Sequence, residues 1–137
     1  MGVVLDSSVL IAAERQRFDW VGFQRTLMDE PQFLTAITLS ELRHGLHRAK
    51  NDEQRERRGR FIARIERYPI LSFTATEAVT HAQIWAALEQ AGNRIGAHDL
   101  LIAAVAMHHG HRLATLNAGE FQRIAGLTVI NAEAFRI

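Results

Sequence analysis

Apolar spacing changes repeatedly along the chain, and each change predicts an element. Val3-Val4-Leu5 is an uninterrupted apolar run bounded by Asp6, the pattern of a buried strand. From Ser7 to Arg15 the period becomes helical, and Phe18 to Met28 predicts a second helix. That helix ends near Asp29-Glu30-Pro31, because Pro31 disfavours helix at the residue before it. Phe33–Ile37 predicts a second strand. Thr38-Leu39-Ser40-Glu41 has capping-box spacing and predicts the start of a helix running toward Lys50. A charged helix is expected over Asp52 to Glu66, then a short strand at Ile70–Phe73. Thr74-Ala75-Thr76-Glu77 repeats the capping pattern, and its helix closes near Gly92. Asp99 to His109 is apolar on most faces and predicts a buried helix stopped by Gly110. Arg112–Thr115 and Leu127–Ile130 complete the strands.

Strands alternating with helices imply an α/β fold with a mainly parallel sheet. No repeat, low-complexity tract or linker interrupts residues 1–137, so a single domain is expected. Apolar residues make up 47% and charged residues 23%, ordinary for a soluble globular chain. With no cysteine, disulfides and thiolate metal sites are excluded. No apolar run is long enough to span a bilayer, and Asp6 makes the start a poor signal peptide. A cytoplasmic protein with no membrane partner is the expectation.

The net charge of +1 hides a local excess. From Arg43 to Arg67 nine Lys and Arg face four acids, a local balance of +5. Nearly all are Arg, whose planar fork grips phosphate. Two readings stand: a polyanion-binding face, or a solvated helix pair with charges paired along each helix.

In parallel sheets ligands bind beyond the carboxyl ends of the strands. Asp6 ends the first strand, Glu41 lies one turn into the helix after the second, and Asp99 opens the buried helix. Asn117 and Glu120 follow the strand Arg112–Thr115. Gathered at one edge, carboxylates raise each other's pKa, and a hard divalent cation relieves that cost. Oxygen donors without thiolates suit Mg²⁺ or Mn²⁺, which can activate water against a phosphodiester. Each acid also has a structural reading. Asp6 can cap the helix at Ser7, Glu41 can be the N3 partner of Thr38, Asp99 can serve its helix dipole, and Glu120 can be a surface acid.

These residues carry a resemblance. Val3-Val4-Leu5-Asp6-Ser7-Ser8 resembles the opening of PIN-domain nucleases, and Thr38-Leu39-Ser40-Glu41-Leu42-Arg43-His44-Gly45 their second motif. His98-Asp99-Leu100-Leu101-Ile102-Ala103-Ala104 is similar to the third, and Leu113-Ala114-Thr115-Leu116-Asn117-Ala118-Gly119-Glu120-Phe121 to the fourth. The compact length resembles the stand-alone toxins of the VapC type. The resemblance implies a three-layer α/β fold and Mg²⁺- or Mn²⁺-dependent endoribonuclease activity. It places Asp6, Glu41 and Asp99 as metal-binding and catalytic acids, with Glu120 a fourth. Ser7 would support the first acid, and Thr115 and Asn117 the last corner. It further implies an RNA substrate, a homodimer and a cognate antitoxin. One departure stands out: the wider family often has Asp where this chain has Asn117.

The cluster His108, His109 and His111 reads as stabilising a helix C-terminus rather than holding zinc. His98 lies beside Asp99 without a catalytic assignment. Trp20, Phe23 and Leu27, like Trp85 and Leu88, read as core or dimer interface. A decayed PIN-like RNA-binding or scaffold module is the competing reading, with Asn117 its one argument. An aspartyl phosphatase would want an acid where Ser8 stands. A receiver domain would want a Lys near the last strand, and the only Lys is Lys50.

Overall fold

The computed structural model describes residues 1–137. Its elements run β1 (Val3–Leu5), α1 (Ser7–Glu14), α2 (Trp20–Leu27), β2 (Gln32–Thr35), α3 (Ala36–His47) and α4 (Asp52–Ile65). They continue with β3 (Ile70–Leu71), α5 (Ala75–Gln90), α6 (Ala97–His108), β4 (Arg112–Thr115), α7 (Ala118–Phe121) and β5 (Val129–Asn131). A 3₁₀ turn at Glu133–Phe135 ends the series. The five strands form one sheet in the order β3-β2-β1-β4-β5, with every pairing parallel.

The sheet is covered on both faces, and strand alternation sorts the core into two halves. Val3 and Leu5 face a cluster that includes Val9, Leu10, Phe23, Leu34, Leu42 and Ile62. Val4, between them, faces the other side with Leu88, Ile102, Leu113 and Phe121. A strand apolar on both faces is what a sheet sandwiched by helices requires. Because β2 and β3 lie on one side of β1 and β4 and β5 on the other, the chain reverses direction across the sheet between β1 and β4. A crevice opens at the carboxyl ends there, where open α/β sheets bind ligands.

Two boundaries differ from the sequence expectation in ways that matter. Strand β2 stops at Thr35, and α3 begins at Ala36 rather than Thr38. The Thr35 hydroxyl accepts the Thr38 N–H at 3.1 Å and is the cap. Glu41 is therefore well inside α3 and free of any capping task. Helix α6 starts at Ala97, so Asp99 is in its first turn rather than at its opening. Phe18 is not helical; it forms a bridge to Arg136. Phe23 and Leu27 are core, with Trp20 packed against them, whereas Trp85 is exposed.

A partly buried ion cluster ties the α3–α4 hairpin to the body. Glu14, at the C-terminal end of α1, lies against Arg57 and Arg58 at 3.6 and 3.5 Å. Arg58 also donates to the Gly45 carbonyl at 2.7 Å, bridging α1, α3 and α4. A carboxylate at a helix C-terminus opposes the dipole, so these guanidiniums offset an otherwise unfavourable placement.

Candidate functional site

Asp6 leaves β1 at the switch point, with its own N–H donated to the Ala114 carbonyl of β4 at 2.9 Å. It holds the cap position of α1, yet its side chain makes no capping bond. The carboxylate instead turns toward β4. Ser8 Oγ donates to Asp6 Oδ2 at 2.7 Å and Thr115 Oγ1 donates to the same oxygen at 2.8 Å. Each hydroxyl is backed by a main-chain donor: Leu116 N–H reaches Ser8 Oγ at 3.0 Å, and Asn117 N–H reaches Thr115 Oγ1 at 2.9 Å. Two relays thus converge on one oxygen. The other, Oδ1, is buried without a partner.

Glu41 repeats that condition. Its Oε1 is buried and unpartnered, while His98 Nδ1 stands 3.7 Å from Oε2. Burial raises its pKa above the usual carboxylate range; a bond from Ser7 opposes this, and Asp6 adds repulsion. Asp99, half-buried, is pushed up to about 7 by burial first, then by Asp6, Glu120 and Glu41. These mutual effects place four carboxylates within reach of one another's charge. Glu120, on α7, also accepts the Gly96 N–H at 3.1 Å, at the cap of α6. It holds the helix that carries Asp99, besides contributing charge.

The positions anticipated from sequence are thus brought to one edge. Asn117 is a partial exception: its side chain is exposed, and its contribution is the N–H given to Thr115. Ser8 was missed. Its only signal was its place two residues after the strand-end acid, where a hydroxyl can reach back to the carboxylate it follows. The three histidines lie at the opposite, amino edge of the sheet and take up specific partners. His109 Nε2 is 3.2 Å from the buried Glu77 carboxylate, His108 Nδ1 is 3.0 Å from Thr80 Oγ1, and His111 accepts the Gly2 N–H.

A buried carboxylate oxygen with no donor is costly unless a cation meets it. Asp6 Oδ1, Glu41 Oε1 and the proton-hungry Asp99 fit a hard divalent ion in donor type and charge. As they stand, no three His, Cys, Asp or Glu side chains converge tightly enough to cage an ion. Unneutralised like charges hold such groups apart, and Glu41 and Asp99 are exposed enough to turn inward once that repulsion is relieved.

The family described as "PIN domain" matches residues 3–127. The chain is 35% identical over 138 residues to Ribonuclease VapC1 of Rickettsia felis, covering 98% of each. It is 29% identical over 128 residues to a tRNA(fMet)-specific endonuclease VapC of Shigella flexneri, covering 90% of this chain and 92% of that one. Among solved structures, VapBC2 from Rickettsia felis bound to a DNA fragment from its promoter superposes with a TM-score of 0.83 at 27% identity. It covers 95% of this chain and 98% of its own.

Proposed function

The chain belongs to the PIN-domain family, and from that we propose that it is an endoribonuclease that hydrolyses RNA with Mg²⁺ or Mn²⁺ as the toxin of a toxin–antitoxin pair. The observation that carries this reading is the pair of buried, unpartnered oxygens, Asp6 Oδ1 and Glu41 Oε1, beside Asp99. Asp6, Glu41 and Asp99 would hold the ion. The chemistry a divalent cation supplies there is neutralisation of the phosphate's charge and easier ionisation of the attacking water.

The rest is done by this chain's own residues. Ser8 and Thr115 fix the Asp6 carboxylate with two hydrogen bonds on Oδ2, leaving Oδ1 without a protein partner. Asp99, whose ionisation is opposed by burial and by the charges of Asp6, Glu120 and Glu41, would gain most from a cation's positive charge. Glu120 keeps the start of α6, and hence Asp99, in place. Asn117 serves the site through its main-chain N–H, which a neutral side chain leaves intact.

The relatives' names support a cognate antitoxin as partner. A protein cation laid against Asp6 and Glu41 would occupy the same oxygens and silence the site. A homodimer through α5 is the assembly we favour, since Val79 and Trp85 expose apolar surface there at 62% and 52%. No helix is long and apolar enough to cross a membrane.

The test is cleavage of total bacterial RNA by chelator-stripped protein, before and after restoring Mg²⁺ or Mn²⁺, with Asp99→Asn alongside. Discrete, metal-dependent cuts absent from the variant are expected. A folded wild type that cuts nothing under any divalent ion would overturn the reading.

A further inference from the structure

The nine cations between Arg43 and Arg67 divide once their partners are known. Arg43 pairs with Glu66, Arg55 with Asp52, Arg57 and Arg58 with Glu14, and Arg60 with Glu56. Arg64 lies over the Phe61 ring at 5.7 Å. Arg48, Lys50 and Arg67 form no ion pair, and neither does Arg15 at the C-terminal cap of α1. Arg15, Arg48 and Lys50 line one groove of about 770 Å³ with Arg58, Glu41 and His98. Glu41, His44 and Arg48 follow at i, i+3 and i+7, so one face of α3 runs from carboxylate to cation over about 10 Å.

The other side of the acid cluster is unlike it. Beyond Asp6, on the α7 and β5 side of the switch point, the concavity is lined by Asn117, Glu120, Asn131 and Glu133 and by no cation. A phosphate chain crossing the sheet edge therefore meets free positive charge on the α3 side. On the β5 side that concavity offers only neutral or acidic groups, with Glu133 paired to Arg136 at its rim.

We propose that the RNA strand is gripped on one side of the bond to be cut, with phosphates on Arg15, Arg48 and Lys50, and is unheld on the β5 side. This deepens the ribonuclease reading and rests on it. Arg55 and Arg60 pair along α4 outside this groove and contribute no phosphate contact. Base identity is not read by this row, because cations on phosphate position a strand without specifying its sequence.

The test uses binding, so that it does not depend on cutting. A short fluorescent oligouridylate is titrated with protein across salt concentrations, with divalent ions chelated. Arg48→Gln with Lys50→Gln should flatten the salt dependence by about 1.4 log units per log unit of salt, at ~0.7 per phosphate on a single strand. The variant's deficit then grows about sevenfold as salt falls from about 200 to about 50 mM. Arg55→Gln with Arg60→Gln, equal in charge removed, should leave binding unchanged. Equal losses from both pairs, an unaltered slope in the groove pair, or no binding by wild type would each overturn the proposal. The ribonuclease reading is judged separately by metal-dependent cleavage. On an RNA cut at a known bond, neutral methylphosphonate links should raise KM on one side only, and equal effects on both sides would refute the one-sided grip.

Discussion

Replacing Asp99 by Asn should make the metal-free protein more stable while destroying its activity. Asp99 sits near 7 because burial and the charges of Asp6, Glu120 and Glu41 all oppose its ionisation. Its folded pKa lies above its unfolded value of 3.8, so the native state holds a proton that the unfolded chain has released. Stability therefore falls as pH rises from about 4 to about 7 and stays lowered above that. Each unit corresponds to about 1.4 kcal/mol, giving a ceiling of about 4 kcal/mol. Because Asp99 is only half-buried, solvent screening brings the expected gain nearer ~2 kcal/mol. Asn has the same shape and no charge to suppress.

The assay is thermal unfolding followed by circular dichroism, in chelator, at pH 4 and pH 8. At pH 4 the variant and wild type should melt together. At pH 8 the variant should melt about 8 °C higher, taking ~4 °C per kcal/mol for a domain of this size. Saturating Mg²⁺ should narrow or invert that gap. A ligand at about a hundredfold over its Kd stabilises by about 2.7 kcal/mol, and only the wild type retains the full set of acids. A variant less stable than wild type at pH 8, or a gain equal at both pH values, would refute the account of repelling carboxylates.

Other outcomes follow from single contacts. Thr115→Val removes a donor to Asp6 and the acceptor of the Asn117 N–H inside a fully buried site; a loss of about 2–3 kcal/mol in urea unfolding, with reduced cleavage, is expected. Glu77 is held down to about 2, chiefly by its bonds from Thr74, so its contribution is present above its ordinary value of 4.5. That contribution is lost as pH falls toward 2, and Glu77→Gln should flatten acid unfolding between those limits. Phe23→Ala, at a fully buried ring packed edge-on against Phe18 and Phe135, should cost about 3–5 kcal/mol by denaturant melt. Trp85→Glu should shift the protein to monomer by light scattering without changing its fold, if α5 is the dimer face.

The parts of the fold most legible in the sequence were those where one pattern had one solution. Val3-Val4-Leu5 reads as a buried strand from its apolar run, and the charged stretch Asp52 to Glu66 as a helix, which the structure has over Asp52–Ile65. The start of α3 was less legible because Ala36 and Ile37 extend the apolar run of β2. A threonine stands at both Thr35 and Thr38, and the structure bonds them to each other, with Thr35 as cap. The short α7 carried no apolar period of its own and went unread. At the site, the acids were legible from their places at strand ends. What could not be read was which hydroxyl reaches Asp6: it is that of Ser8 and not, as the resemblance implied, that of Ser7, a choice set by where α1 turns and not by residue type. The basic segment posed the same difficulty, since which arginines are spent on Glu14, Glu56 or Glu66 depends on contacts between helices.

The two hydroxyls on a single oxygen of Asp6 have a thermodynamic meaning. A free carboxylate loses rotational entropy when it is captured, and that loss subtracts from affinity. Asp6 has already lost it during folding, since Ser8 of α1 and Thr115 of β4 lock its terminal torsion. Glu41 and Asp99, half-exposed and unlocked, still have theirs to lose. The site is therefore one rigid anchor with two adjustable arms. Capture would begin at Asp6, and release would begin with the arms, an asymmetry that favours rapid exchange of the ion over permanent retention.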